Sequence, residues 1–214
     1  MKLHVVLILC LLAMVSCNRN DVEGMQIQGK IRDSRNSAGV SGVSIEIEEK
    51  IVESGALNGS FQFAAQVNSD GSGNYSADFD RNNALTYKMD FTKQGYFAKS
   101  QEINPDNLTP GVAYTVNQTL VPEAFVQVNI ANANPLSEND FMRFRYVNAN
   151  FDCECCANGW SEYEGTVVDS SFTCRMHGDY MLYYTYEVTR VEEVAFTDSV
   201  FCPAFQTTVI DINY

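Results

Sequence analysis

Period-two alternation is the feature that most limits what this chain can fold into. Met25, Ile27 and Ile31 share one side of a run whose other side carries Gln26, Gln28, Lys30 and Arg32, with Gly29 in between. That is the pattern of a strand half buried in a sheet. It recurs in Val43, Ile45 and Ile47 against Glu46 and Glu48, and in Phe61, Phe63, Ala65 and Val67 against Gln62 and Gln66. Further runs are Tyr75, Ala77 and Phe79, then Tyr87, Met89 and Phe91, then Tyr114, Val116 and Leu120. Turn residues separate them, among them Ser54-Gly55, Asn58-Gly59, Asp70-Gly71-Ser72-Gly73 and Gln94-Gly95, and no helical period competes. Residues 25–122 are therefore expected to form an antiparallel sandwich of about seven short strands.

Val121-Pro122 marks a boundary, because proline cannot donate to a sheet ladder. Alternation then resumes in Val126, Val128 and Ile130, in Met142, Phe144 and Tyr146, in Tyr180 through Val188, and in Thr208, Ile210, Ile212 and Tyr214. The last set makes the end of the sequence a paired strand rather than a tail. The expectation is an all-β chain with two antiparallel β-sandwich domains in series, 25–122 and 123–214, the second immunoglobulin-like in general character.

Lys2 and the eleven-residue apolar run from Val5 to Val15 form a signal peptide, since crossing a bilayer takes about 20 apolar residues. Its end, Met14-Val15-Ser16-Cys17, resembles the bacterial lipobox. That resemblance implies cleavage after residue 16, acylation of Cys17 and a lipid anchor in the cell envelope of a Gram-negative bacterium, at the outer membrane, with residues 17–24 as a polar tether. Two or three acyl chains suffice for stable anchoring. Gly29-Lys30-Ile31-Arg32-Asp33, Gly39-Val40-Ser41-Gly42-Val43-Ser44-Ile45, Ser69-Asp70-Gly71-Ser72-Gly73-Asn74-Tyr75 and Phe91-Thr92-Lys93-Gln94-Gly95-Tyr96 are similar, in order and spacing, to the carboxypeptidase regulatory-like domain. The resemblance implies a transthyretin-like sandwich over 25–122 and brings no catalytic residue with it. Without the family, these are fold residues: Gly42 and Gly73 suit sharp turns, and Asp70 and Asn74 suit side-chain capping of a hairpin.

The chain carries 14 Lys and Arg against 27 Asp and Glu, a net charge of −13. Such a surface repels phosphate backbones and excludes nucleic acid as a partner class. Of seven cysteines, Cys10 leaves with the leader and Cys17 is the lipidation site, so Cys153, Cys155, Cys156, Cys174 and Cys202 remain. Outside the cytoplasm these are disulfide candidates, two bridges with one thiol over. The competing reading takes Cys153, Cys156, Cys174 and His177 as a zinc set, from the Cys-x-x-Cys and Cys-x-x-His spacings.

Once His4 is removed, His177 is the general base any serine or cysteine hydrolase would need. The chain has no Gly-x-Ser-x-Gly, His-Glu-x-x-His or phosphate-cradling glycine loop beside it. The start of a calcium loop at Asn68, Asp70 and Ser72 fails because Phe79 stands where a bidentate Glu belongs. The candidate binding residues are Tyr183, outward with Met181 from the Tyr180 to Val188 strand, and Trp160 and Tyr163 in the polar connection after the cysteines; such aromatics stack on sugars or meet a protein, or else cover the sheet or contact the first domain. The function expected is a non-enzymatic, membrane-anchored binding or scaffolding module without a cofactor, its partner an envelope protein or a polysaccharide. The alternative is a zinc or enzymatic protein using the cysteine and histidine cluster.

Overall fold

The computed structural model describes residues 24–53, 56–57, 59–149 and 156–214. The first part is built from β1 (Met25–Asp33), β2 (Ser44–Glu53), β3 (Ala56–Leu57), β4 (Gln62–Asn68), β5 (Asn74–Phe79), β6 (Ala84–Thr92), β7 (Lys99–Ile103), β8 (Ala113–Thr115) and β9 (Gln118–Leu120). In one sheet β5 lies on one edge of β1, and β8 and β9 share its other edge; in the second, β3 and β4 lie along β2, followed by β6 and β7. Ile27, Ile31, Val43, Ile45, Ile47, Tyr87, Met89 and Phe91 fill the space between the sheets, all buried as their alternation requires. The expected turn chemistry is present. Asp70 accepts from the backbone N–H groups of Ser72 and Asn74, each at 2.8 Å, and Gly73 takes φ +81°, where a Cβ would strike the backbone of Gly39 and Ile31.

Two features depart from the expected pattern. The pairing of β1 with β8 and β9 is parallel, so the sandwich is not antiparallel throughout. The chain returns along β1 in β1's own direction and kinks at Val116–Asn117, between the two short strands. There the Val116 carbonyl sits over Gly29, accepting from the Tyr75 hydroxyl at 2.7 Å, while the Asn117 side chain accepts from the Lys30 N–H at 2.9 Å. The second departure is a bulge: Ile47 pairs with Ala65 but Glu48 pairs with Phe63, skipping Ala64. One extra residue reverses the phase of a strand. Ala65 and Val67 keep the core side, whereas Phe63 turns out to 63% exposure and the Phe61 ring faces the ammonium groups of Lys50 and Lys88. Phe61 and Phe63 are therefore not on the core face that strict alternation assigned to them.

The second part is built from β10 (Glu123–Ala131), β11 (Phe141–Tyr146), β12 (Ser161–Glu164), β13 (Asp169–His177), β14 (Tyr180–Thr189), β15 (Glu193–Cys202) and β16 (Thr207–Asn213). The sheets run β13-β10-β16 and β12-β11-β14-β15, three strands facing four, and β10 pairs with β16 in parallel. Val126, Val128, Ile130, Met142, Phe144, Met176, Leu182, Ile210 and Ile212 form a second buried cluster that shares no member with the first. The protein is all-β, with sandwich domains as the alternation predicts, and residues 207–213 are a paired strand.

Candidate functional site

Cys17, Cys153 and Cys155 lie outside the described residues. Cys156 and Cys174 are bonded to each other across 18 residues, so the zinc set loses two thiolates. The bridge bears out the disulfide expectation for these two cysteines, and strand geometry explains why the Cys-x-x-His spacing does not make a ligand set. Positions three apart on a strand point to opposite faces; Cys174 and Met176 turn toward the core, while Arg175 and His177 turn toward the first domain. The Phe97 ring receives the Arg175 guanidinium at 4.6 Å and the His177 ring edge-on at 5.0 Å. Cys202 is buried and carries a free thiol, whose pKa burial pushes up; a neutral, shielded thiol is a poor nucleophile.

The three aromatic candidates do not converge. Trp160 stands just before β12 with the guanidinium carbons of Arg143 and Arg145 each 4.5 Å from its ring centroid, so its π surface is already engaged by cations. Tyr163 pairs with Met142 in β12 and packs against the core, which removes it as an outward binding residue. Tyr183 is outward at 47% exposure with Met181 beside it, as alternation predicts.

What alternation along single strands did not reveal is a junction and a groove. At the junction, the buried Asp33 carboxylate is gripped by Arg35, which donates from Nε at 2.9 Å and from its terminal nitrogen at 2.7 Å. The Tyr96 hydroxyl donates to the same carboxylate at 2.9 Å. Arg35 also pairs with Asp179 of the second domain at 3.3 Å and lies 4.9 Å over the Phe205 ring, which Tyr96 meets edge-on. Main-chain bonds seal the same seam: Glu123 N–H to the Gly95 carbonyl at 2.8 Å and Gly178 N–H to the Pro122 carbonyl at 2.8 Å.

Arg35 holds the Asp33 carboxyl at about 2, well below the usual carboxylate range. A depressed carboxylate contributes stability that is full above the unfolded pKa of about 3.9 and is lost as pH falls through the folded value. Asp33→Asn is therefore expected to lower stability by about 2 kcal/mol at pH 7, with the gap from the wild type closing between pH 4 and pH 2. Urea unfolding across that range checks it, and a gap undiminished in acid would separate the effect from this charge.

The groove lies at the opposite end of the second domain, where β14 turns into β15. Near the junction the two sheets close on each other, the Thr208 hydroxyl donating to the Phe201 carbonyl at 3.5 Å. At the far end no strand among the described residues covers β15. Its inward side chains Val194 and Phe196 remain 49% and 42% exposed, and with Tyr186, Val188, Leu136 and Tyr214 they line a cavity of about 450 Å³. Tyr186 and Phe196 stack at 4.7 Å. Arg190 stands at the mouth, already committed to the buried Asp140 at 3.6 Å and to the Asn132 side-chain oxygen at 3.1 Å. This arrangement can receive apolar side chains; among the described residues no three His, Cys, Asp or Glu side chains are grouped to hold a metal ion.

No family model and no curated protein matches the chain. Among solved structures it is similar to a streptococcal ancillary pilin, at 13% identity over 91% of this chain and 63% of that one with a TM-score of 0.38. It is also similar to the Bacillus anthracis TIE protein, at 9% identity over 89% of this chain and 34% of that one with a TM-score of 0.38. A third is the shaft pilin SpaA from Lactobacillus rhamnosus GG, at 13% identity, 89% and 97% coverage, and a TM-score of 0.35. The chain thus spans less than two thirds of the first two structures.

Proposed function

We infer that this chain is a non-enzymatic binding module of a Gram-negative cell envelope, held on the membrane by acylated Cys17 and presenting its second sandwich to a protein partner. The observation that carries this reading is the junction. An ion pair, four ring contacts and main-chain hydrogen bonds tie the two domains at one end of each. The ends remote from that seam are Gly24, which leads from the tether into β1, and the groove beside Arg190. Strands of nine or ten residues, at about 3.3 Å per residue, separate each end from the junction by roughly 25–30 Å. The first domain, read as a carboxypeptidase regulatory-like spacer, then sets the reach of the second above the membrane. A protein partner is favoured over a polysaccharide because the Trp160 ring is occupied by Arg143 and Arg145, while the exposed apolar side chains Leu136, Val191, Val194 and Phe196 share the groove.

The wild type is expected to incorporate labelled palmitate and to partition with membranes. Cys17→Ala is expected to do neither while keeping the circular dichroism of a folded β protein. Acylation of Cys17→Ala, or its retention on membranes, would place the anchor elsewhere.

A further inference from the structure

Among the described residues three strands face four in the second domain, and the exposure of Val194 and Phe196 puts the shortfall at β15. β15 ends the larger sheet and β16 ends the smaller, so at the far end the inward face of β15 looks onto empty groove rather than onto a neighbour. A strand laid beside β16 would be the missing fourth and would cover Val194 and Phe196. The backbone of β16 is ready for it. Tyr214 donates its N–H to the Ala131 carbonyl of β10, and the Gln206 carbonyl accepts from Phe125, also of β10. Backbone groups alternate sides along a strand, so those of Val209, Asp211 and Asn213 point to the open edge. The Tyr214 hydroxyl, on a residue 9% exposed that lines the groove, has no hydrogen-bond partner among the described residues. A free edge beside an uncovered apolar face is a template for an incoming chain.

Charge selects the occupant. Glu192, Glu193, Asp198 and Asp211 are exposed along the two edges, and the nearby cation, Arg190, is neutralised by Asp140. A second copy of a chain with net charge −13 would bring like charge to this rim, whereas a basic segment complements it. We propose that the groove between β15 and β16 is a strand-acceptor site, which takes an extended segment of another protein bearing alternate small apolar side chains flanked by Lys or Arg. The guest pairs its backbone with the open edge of β16, sets its apolar side chains against Val188, Val194 and Phe196, and offers a backbone or hydroxyl partner to Tyr214. This inference rests on the reading of the chain as a binding module, but not on its anchoring.

The probe is a capped peptide, Lys-Val-Thr-Val-Thr-Val-Thr-Lys, of about the length of a typical strand, titrated onto the detergent-solubilised full chain. Binding is expected, with slowed amide exchange at Val209, Asp211 and Asn213. Methylating the peptide nitrogens that face β16 is expected to weaken it at least tenfold, as is Phe196→Glu in the protein, with circular dichroism unchanged. Val194→Glu gives a second, independent lesion on the same wall. Absence of binding overturns the proposal. So does undiminished binding of the methylated peptide, which would leave only an apolar pocket. A concentration-dependent dimer abolished by Phe196→Glu would give the groove to a second copy, and binding of laurate but not of the peptide would give it to a small amphiphile. The palmitate experiment on Cys17→Ala is independent: its failure removes the anchor and leaves the acceptor site, and the reverse also holds.

Discussion

Alanine at position 29 is expected to stop the first sandwich from closing. A Cβ there would overlap the Val116 carbonyl and press on the Tyr75 ring. The carbonyl cannot retreat, because it accepts from the buried Tyr75 hydroxyl, and the Val116 N–H donates to the Gln28 carbonyl at 2.8 Å. Overfilling a packed site costs about 1–3 kcal/mol when side chains can shift. Here the obstacle is main chain held on two sides, so a loss of at least about 3 kcal/mol is expected, a large part of the roughly 5–15 kcal/mol that keeps a domain folded. Gly59→Ala is the control: a Cβ there meets nothing, and the change should lie within about 0.5 kcal/mol. Urea unfolding of both variants, with amide exchange along β1 and β8, reads the difference. A Gly29→Ala protein as stable as the control would refute the close approach of Val116 to β1.

Phe144→Ala should cost about 3–5 kcal/mol, the range for deleting a buried ring that the surroundings cannot refill. Phe144 is 1% exposed and meets Tyr146 at 5.0 Å, Phe172 at 5.9 Å and Tyr184 at 5.9 Å. Phe172 belongs to the opposite sheet, so the ring ties β11 to β13 across the core. The two buried clusters share no residue, which confines the damage. Trp160 is the sole tryptophan and sits in the second domain, so its fluorescence should report a transition shifted to lower urea, while exchange in β1, β2 and β6 stays protected. Parallel loss of protection in both domains would mean that the junction makes them one cooperative unit.

The sandwich core was written plainly in the sequence because period two and burial coincide along β1, β2, β5, β6, β10, β11, β14 and β16, where every second apolar residue is inside. The misses have physical causes. Phe61 and Phe63 read as core because alternation carries no sign of an inserted residue, and the bulge at Ala64 is visible only in the pairing. The β13 strand is harder to see because Cys174 and His177 draw attention as a disulfide and ligand motif, although Phe172, Cys174 and Met176 alternate with Thr173 and Arg175 on a legible inward face. In β15, Asp198 interrupts Val194, Phe196, Val200 and Cys202; those four mark the inward face of the strand, and the exposure of Val194 and Phe196 at its far end is what makes a groove there. The junction was out of reach, since Arg35 and Asp179 are far apart in the chain and only the turn of β1 toward β14 brings them together.

In each sandwich the first strand pairs, in parallel, with the last: β1 with β8 and β9, β10 with β16. This has a consequence in time. A chain emerging from the ribosome or a translocation channel presents β1 about 90 residues before its closing partners, and β10 must wait similarly for β16. Non-local closure of this kind slows folding, because the loop entropy falls due before the pairing returns it. Neither sandwich can close before its last strand has emerged, and the seam between them cannot form before Asp179 and Phe205 have. During that interval the edges of β1 and β10 stand open, so an escort that covers exposed strands would act on this protein before it reaches its final state.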